Sequence, residues 1–324
     1  MCIILASIRS AWSTYSPWEI SVVNRSPYDT LSCMSWFIYA VLAAFLTSLS
    51  AMVEKRSLSH LHAIDFSIIL SLFAAALSAP ALFLYSWETI DGRVIALLLA
   101  VSLLATIAFI GVIRGVRHLE VSTSASLFLL GPFLTSLIAY LFLGETLSPI
   151  QLGGMLLLAL GIYILETKHF FRGGEFWKNI WGDKYSRFII LGMLLYGFTS
   201  TGDRIALGYL HVPAVLYTAL VQLFIAGFFI LVAFYYRRGL STSYNIAKTE
   251  WKLILLVAVL TTGYRVMQSQ AAALAAIGLV IAIKRSSALF TTVVGGELFR
   301  EHDLIRKTIA CTIMIGGVYL IAMN

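Results

Sequence analysis

An all-α fold embedded in a membrane, with ten crossings arranged as two inverted halves of five, is what this sequence predicts. Three observations lead there. Sixty percent of the 324 residues are hydrophobic and only 12% are charged, about half the charged share of a typical soluble domain. The apolar residues fall into runs of about 20, the length a helix needs to cross the hydrocarbon core. These runs divide evenly about one basic loop, and the two sets share matching features. Mean hydropathy is +0.89. A water-soluble chain of this length cannot hide so much apolar surface, so lipid is the solvent for most of it.

Residues 1–33 are mixed in polarity, and their short apolar stretch precedes Arg9 instead of following it, the wrong order for a secretory leader. They are expected to be a disordered extension, or a start assigned upstream of Met34, with no functional role. Spans follow at 36–54, 63–85, 94–114, 122–143 and 149–166, within a first repeat at 34–166. The loop 167–187 carries Lys168, Arg172, Lys178, Lys184 and Arg187. The second repeat, 188–324, holds spans at 188–208, 213–235, 252–273, 276–298 and 304–322.

The repeat rests on two alignments. Laid over 297–321 without a gap, residues 141–165 pair Glu145 with Glu301, Gly161 with Gly317 and Tyr163 with Tyr319. At the start of each half, Glu54-Lys55 followed by His62 mirrors Asp203-Arg204 followed by His211. An odd number of spans per repeat forces the second half to enter the membrane from the opposite side. Such inverted halves are a common plan of secondary transporters, with substrate between them near the bilayer midplane.

The unit LFLGETLSPIQLGGMLLLALGIYIL, its counterpart after ELFRE, and the segment ALAAIGLVIAIKRSSALFTTVVGGELF resemble the EamA-like members of the drug/metabolite transporter superfamily over about residues 36–322. The resemblance implies two five-helix EamA repeats and the export or exchange of small molecules. This chain departs from the pattern in two places. Span 9 has no proline matching Pro132, and the loop after it is more charged than ETLSP.

Ionisable groups inside a span are costly and are candidates for function. Glu54, Lys55 and Arg56 end span 1, where Thr47 and Ser50 share the Glu54 face. Asp203 and Arg204 lie deep in span 6, pointing about 100° apart on the helix and so toward different surroundings. Arg265 sits mid-way along span 8 with Gln268 one turn on. Lys284, Ser287 and Thr291 form a stripe on span 9, and the neighbouring Arg285 faces another partner. With Glu297 added, the acids number three against six bases, so the expected cavity is basic and favours an anionic or zwitterionic ligand. Glu145 and Glu301 read as structural groups at turns, with Ser148 as N-cap and Pro149 as first helical residue. Gly161 and Gly317, with Gly153, Gly154 and Gly316, allow close helix packing. Pro80 and Pro132 are positioned to kink spans 2 and 4.

No nucleophile elbow, phosphate loop or dinucleotide fingerprint occurs, and the histidines and the three cysteines lack metal-site spacing. The expectation is therefore a non-enzyme without cofactor or metal, whose partners are the lipid bilayer, a small-molecule substrate and a proton or counter-substrate, with no nucleic acid. A lipid-carrier flippase of the same fold and an integral-membrane lipid-modifying enzyme are the alternatives. The expected location is the bacterial inner membrane. Of 23 Lys and Arg, six are intramembrane; of the remaining 17, fourteen fall in odd-numbered loops and three (Arg9, Arg25, Arg93) opposite them. The positive-inside rule then puts the odd loops in the cytoplasm, whereas the family resemblance implies cytoplasmic termini.

Overall fold

The computed structural model describes residues 29–58, 63–116, 118–119, 124, 127–166, 183–235, 240–291 and 304–323. The chain divides into two compact units, Met1–Met34 and Ser35–Asn324. Within the described residues the elements are helical and no strand occurs. In chain order they are α1 (Asp29–Leu58), α2 (Ala63–Ser78), α3 (Ala81–Leu84), α4 (Gly92–Val116), α5 (Leu130–Leu143) and α6 (Pro149–Glu166). The second half supplies α7 (Lys184–Arg204), which runs into a π-helical turn (Ile205–Tyr209), then α8 (Ala214–Tyr235), α9 (Leu240–Leu274), α10 (Ile277–Arg285) and α11 (Leu304–Ala322).

Four stretches among the described residues are long and apolar enough to cross a bilayer: Ser35–Glu54, Asp65–Leu84, Gly92–Val116 and Ala214–Tyr235. Shorter apolar helices span Leu130–Leu143, Pro149–Leu165 and Thr308–Ala322. The protein is thus an integral membrane protein, helical throughout the elements of its described residues. Helices α7 and α9 are long but less apolar, because they carry polar residues such as Asp203, Arg265 and Gln268.

Local chemistry explains the helix ends. The predicted second span is broken where Pro80 cannot donate a helical hydrogen bond; α2 stops at Ser78 and α3 resumes at Ala81. Pro132 likewise has no N–H for the carbonyl of Phe128, and the helix is interrupted at Leu129. Gly144 closes α5 in the left-handed region, at φ 68°. Ser148 and Gln151 form a reciprocal capping box that starts α6 at Pro149. Asp183 accepts from the backbone of Tyr185 and Ser186, so α7 starts at Lys184 rather than at 188. Helix α9 starts at Leu240, twelve residues before the predicted boundary, because its polar first third is helical without being apolar.

Two packing features position the site. At one end of the bundle, Leu82, Ile90, Leu147, Val212 and Ala276 join Trp36, Val94, Leu98 and Ile277 as part of the apolar core that runs on through the helices. They come from the turns at 85–91, 144–148, 210–213 and 275–276 or the adjoining helix ends, which makes this the even-loop end. Along the side, α6 crosses α11 at glycines. A Cβ on Gly161 would strike the backbone of Ala310 and the side chain of Met314. A Cβ on Gly317 would strike the backbone of Gly154 and Leu158, from 2.7 Å.

Candidate functional site

Helices α7, α8 and α9 enclose a small polar cavity, lined by Asp203, Tyr217, Thr218, Val221, Arg265, Gln268 and Ser269. Its free volume is about 20 Å³, room for about one water. Gln268 and Arg265 lie six and nine residues before the end of α9, so roughly 9 and 14 Å below the even-loop end at 1.5 Å per residue. That depth is close to the middle of a roughly 30 Å hydrocarbon core.

The groups around the cavity are mutually bound. Tyr217, 3% exposed, donates its hydroxyl to Asp203 Oδ1. Arg265 and Lys284 both interact electrostatically with Asp203. Lys284 Nζ donates to Gln268 Oε1 at 2.6 Å and stands 4.4 Å from the centre of the Tyr264 ring. Arg285, next in sequence, turns elsewhere: its guanidinium meets Met193 Sδ at 3.8 Å and the Phe128 ring at 5.5 Å. It remains within electrostatic reach of Lys284 and Tyr196. Further polar contacts join α8 to α9, Thr218 to Ser269 at 3.1 Å and Gln222 to Thr262 at 3.4 Å. Ser50 of α1 reaches Thr261 at 3.3 Å.

The sequence candidates therefore separate. Asp203, Arg265 and Gln268 line the cavity, and Lys284 is held by Gln268 beside it. Ser287 and Thr291 do not line it. The stripe assumed one unbroken helix, but the Ser286 hydroxyl bonds Ile283 O, a turn falls at 286, and Thr291 donates to Ser287 O. Glu54 is half-buried in the last turns of α1, and no ion pair of it occurs among the described residues. The side chains of Lys55 and Arg56, and Glu297 and Glu301 altogether, lie outside the described residues. Tyr217, Tyr264, Thr218 and Ser269 join the site without a strong signal in the sequence. Their signal was a pair of polar stripes, 217–218–222 and 261–262–265–268–269, on helices read mainly for hydropathy.

Arg204 leaves the cavity. Its Nε donates to Glu145 Oε1 at 2.7 Å in a salt bridge whose side chains are 17% and 10% exposed. Its Nη1 donates to the carbonyls of Ala272 and Ala273, at 2.8 and 2.9 Å. The other carboxylate oxygen of Glu145 accepts from Ile277 N at 3.1 Å. Glu145 thus meets a helix N-terminus, as a carboxylate favours, but it is that of α10 and not that of the adjacent α6.

The first half of the chain can be compared directly with a known family. Residues 34–167 match the model of the EamA-like transporter family. That stretch is similar to the EamA-like transporters. The EamA-like unit takes in nearly all of α1 and the whole of α2–α6, including Pro132, Glu145 and Gly161. Its family is one of membrane transporters of the drug/metabolite type. The cavity lining, from Asp203 to Ser269, lies beyond the EamA-like match. Twenty-nine solved chains also match. One, described as a crystal structure of a protein, is 13% identical, covers 89% of this chain and 96% of its own, and superposes with a TM-score of 0.69. At that identity the likeness concerns the fold alone. No curated protein matches in sequence.

Proposed function

We propose that the chain is a secondary active transporter, an exporter or exchanger, of a small anionic or zwitterionic metabolite. The carrying observation is the surplus of cations at mid-membrane depth. Arg265 lines a polar cavity and Lys284 stands beside it, with Asp203 as the carboxylate that both face among the described residues. Unpaired charge in a membrane interior is expensive and is retained where a ligand or a pathway needs it. A net positive pocket attracts anions and repels cations. The EamA-like match of the first half supports the transporter class.

In this reading ten crossings form two inverted halves in the bacterial inner membrane, with odd-numbered loops cytoplasmic. The α6–α11 contact supports the inversion. Adding 156 to a residue of α6 gives its counterpart in α11, so Gly154, Leu158 and Gly161 correspond to Ala310, Met314 and Gly317. Gly161 meets Ala310 and Met314, and Gly317 meets Gly154 and Leu158. Each contact is the image of the other. Partners whose positions sum to a constant belong to antiparallel helices about a two-fold axis perpendicular to both. The cavity is too small for a metabolite, so substrate entry requires α7–α10 to separate.

The test is uptake into proteoliposomes. Carboxylated and phosphorylated solutes should enter by counterflow, and Lys284→Met should abolish it. Preferential uptake of a permanent cation sinks the anion reading, and absence of counterflow with every solute class sinks the transporter reading.

A further inference from the structure

The turn between α9 and α10 is unusual for its sequence. From Ala271 to Ile277 the chain reads AAALAAI, with no glycine or proline, and alanine is the best helix former. Yet α9 stops at Leu274 and α10 starts at Ile277. In a continuous helix Ile277 N–H would donate to Ala273 O. Here that N–H goes to Glu145 Oε2, Glu145 Oε1 takes Arg204 Nε, and Arg204 Nη1 takes Ala273 O. An ion pair between the 144–148 turn and the end of α7 is inserted into the broken hydrogen bond. Its charges match the helix ends they meet: the cation on the C-terminal carbonyls of α9, the anion on the N-terminal amide of α10. Gly208 belongs to the same device, because a Cβ there would strike the Arg204 guanidinium at 2.5 Å.

The pair lies where a transport path would close. Apolar residues of the main cluster share the even-loop end with it, and Asp203, the preceding residue in the chain, faces the cavity. Helix α10, whose first amide Glu145 holds, carries Lys284 and Arg285 at its other end. Glu145 sits in the first half and Arg204 in the second, so separating the halves at this end must break the bridge.

We propose that Glu145 and Arg204 are positioning residues that latch the even-loop end shut and set α10 over the cavity. This rests on the transporter reading, but its test needs no substrate. With Cys2, Cys33 and Cys311 replaced by serine, Ser269→Cys puts one thiol in the cavity, and a separate Ser86→Cys protein marks the even-loop face. A membrane-impermeant maleimide is applied to each face of sealed vesicles. The latched parent should label slowly from the even-loop face. Glu145→Gln or Arg204→Gln should raise that rate at least tenfold, with no rise from the opposite face. Double reversal, Glu145→Arg with Arg204→Glu, should stay fast, since each charge then opposes the helix end it meets. Equal increases from both faces would mean general loosening and overturn the proposal, as would unchanged labelling in the single variants. Slow labelling restored by double reversal would overturn the coupling to the helix ends. Failure of counterflow in the unmodified protein would instead count against transport and leave these rates as they are.

Discussion

Lys284→Met separates a ligand-binding cation from a structural one. In the closed protein Lys284 makes one hydrogen bond, to Gln268, stacks over Tyr264 and is attracted by Asp203, a carboxylate that keeps Arg265 when Lys284 is removed. Against those contacts stand the cost of burying an ammonium and repulsion from Arg265 and Arg285. The cation–π contact contributes about 0.5–2 kcal/mol, whereas removing an ion from water costs several kcal/mol. Methionine keeps the length and flexibility of the side chain without the charge. The substrate-free variant should therefore melt no lower than the parent in a detergent thermal-shift assay. Binding should respond oppositely. A charge-assisted contact to an anion is worth about 1.5–3 kcal/mol, which at 1.4 kcal/mol per decade is roughly a 10- to 140-fold loss of affinity. Stabilisation by anions from a metabolite panel, and counterflow of the best of them, report that loss. A variant that melts several degrees lower while anions still bind with unchanged affinity refutes the reasoning, because Lys284 would then be part of the scaffold.

Asp203→Asn should behave in the reverse sense. It removes the carboxylate beside Arg265 and Lys284, and breaking one side of a buried charge cluster costs about 3–5 kcal/mol; the thermal-shift midpoint should fall while anions restore more stability than they give the parent. Gly161→Leu and Gly317→Leu should each lower the melting temperature, and by similar amounts, since overpacking costs about 1–3 kcal/mol and the two sites meet equivalent backbone. A large inequality would count against equivalent halves. Lys178→Cys, in the basic loop, should label only from the cytoplasmic side of intact cells or inverted vesicles; labelling from outside reverses the orientation drawn from the loop charges.

The apolar stretches at 36–54, 63–85, 94–114 and 213–235 were legible because burial in lipid writes hydropathy directly into composition. Lys284, Arg265 and Asp203 were legible for the converse reason: a charge inside such a run stands out. Arg204 neighbours Asp203 in the sequence and so reads as part of the site, and only the fold shows it turning to Glu145, 59 residues away. Nothing local announces that bond. Tyr217 escaped notice because a tyrosine passes for an apolar residue in a hydropathy window, although its hydroxyl holds Asp203. The helical start of α9 was hidden by a different gap: membrane hydropathy measures solvent preference, whereas STSYNIAKTE needs only backbone hydrogen bonds to coil. The break at Ala275–Ala276 coincides with a predicted loop, but its cause, a charged pair from elsewhere, lies in no local propensity.

The α6–α11 crossing has a use as a reference frame. Points on a two-fold axis are left in place when the two objects it relates exchange shapes. If the halves of this protein swap conformations during a cycle, the Gly154–Gly317 and Gly161–Ala310 contacts lie where the swap produces least displacement. Spin labels or fluorophores on the lipid-facing sides of these helices, at Leu156 and Ile315, then form a stationary pair against which movement of α9 and α10 can be measured. A constant distance there alongside a changing one at the other end would locate the pivot without any bound substrate.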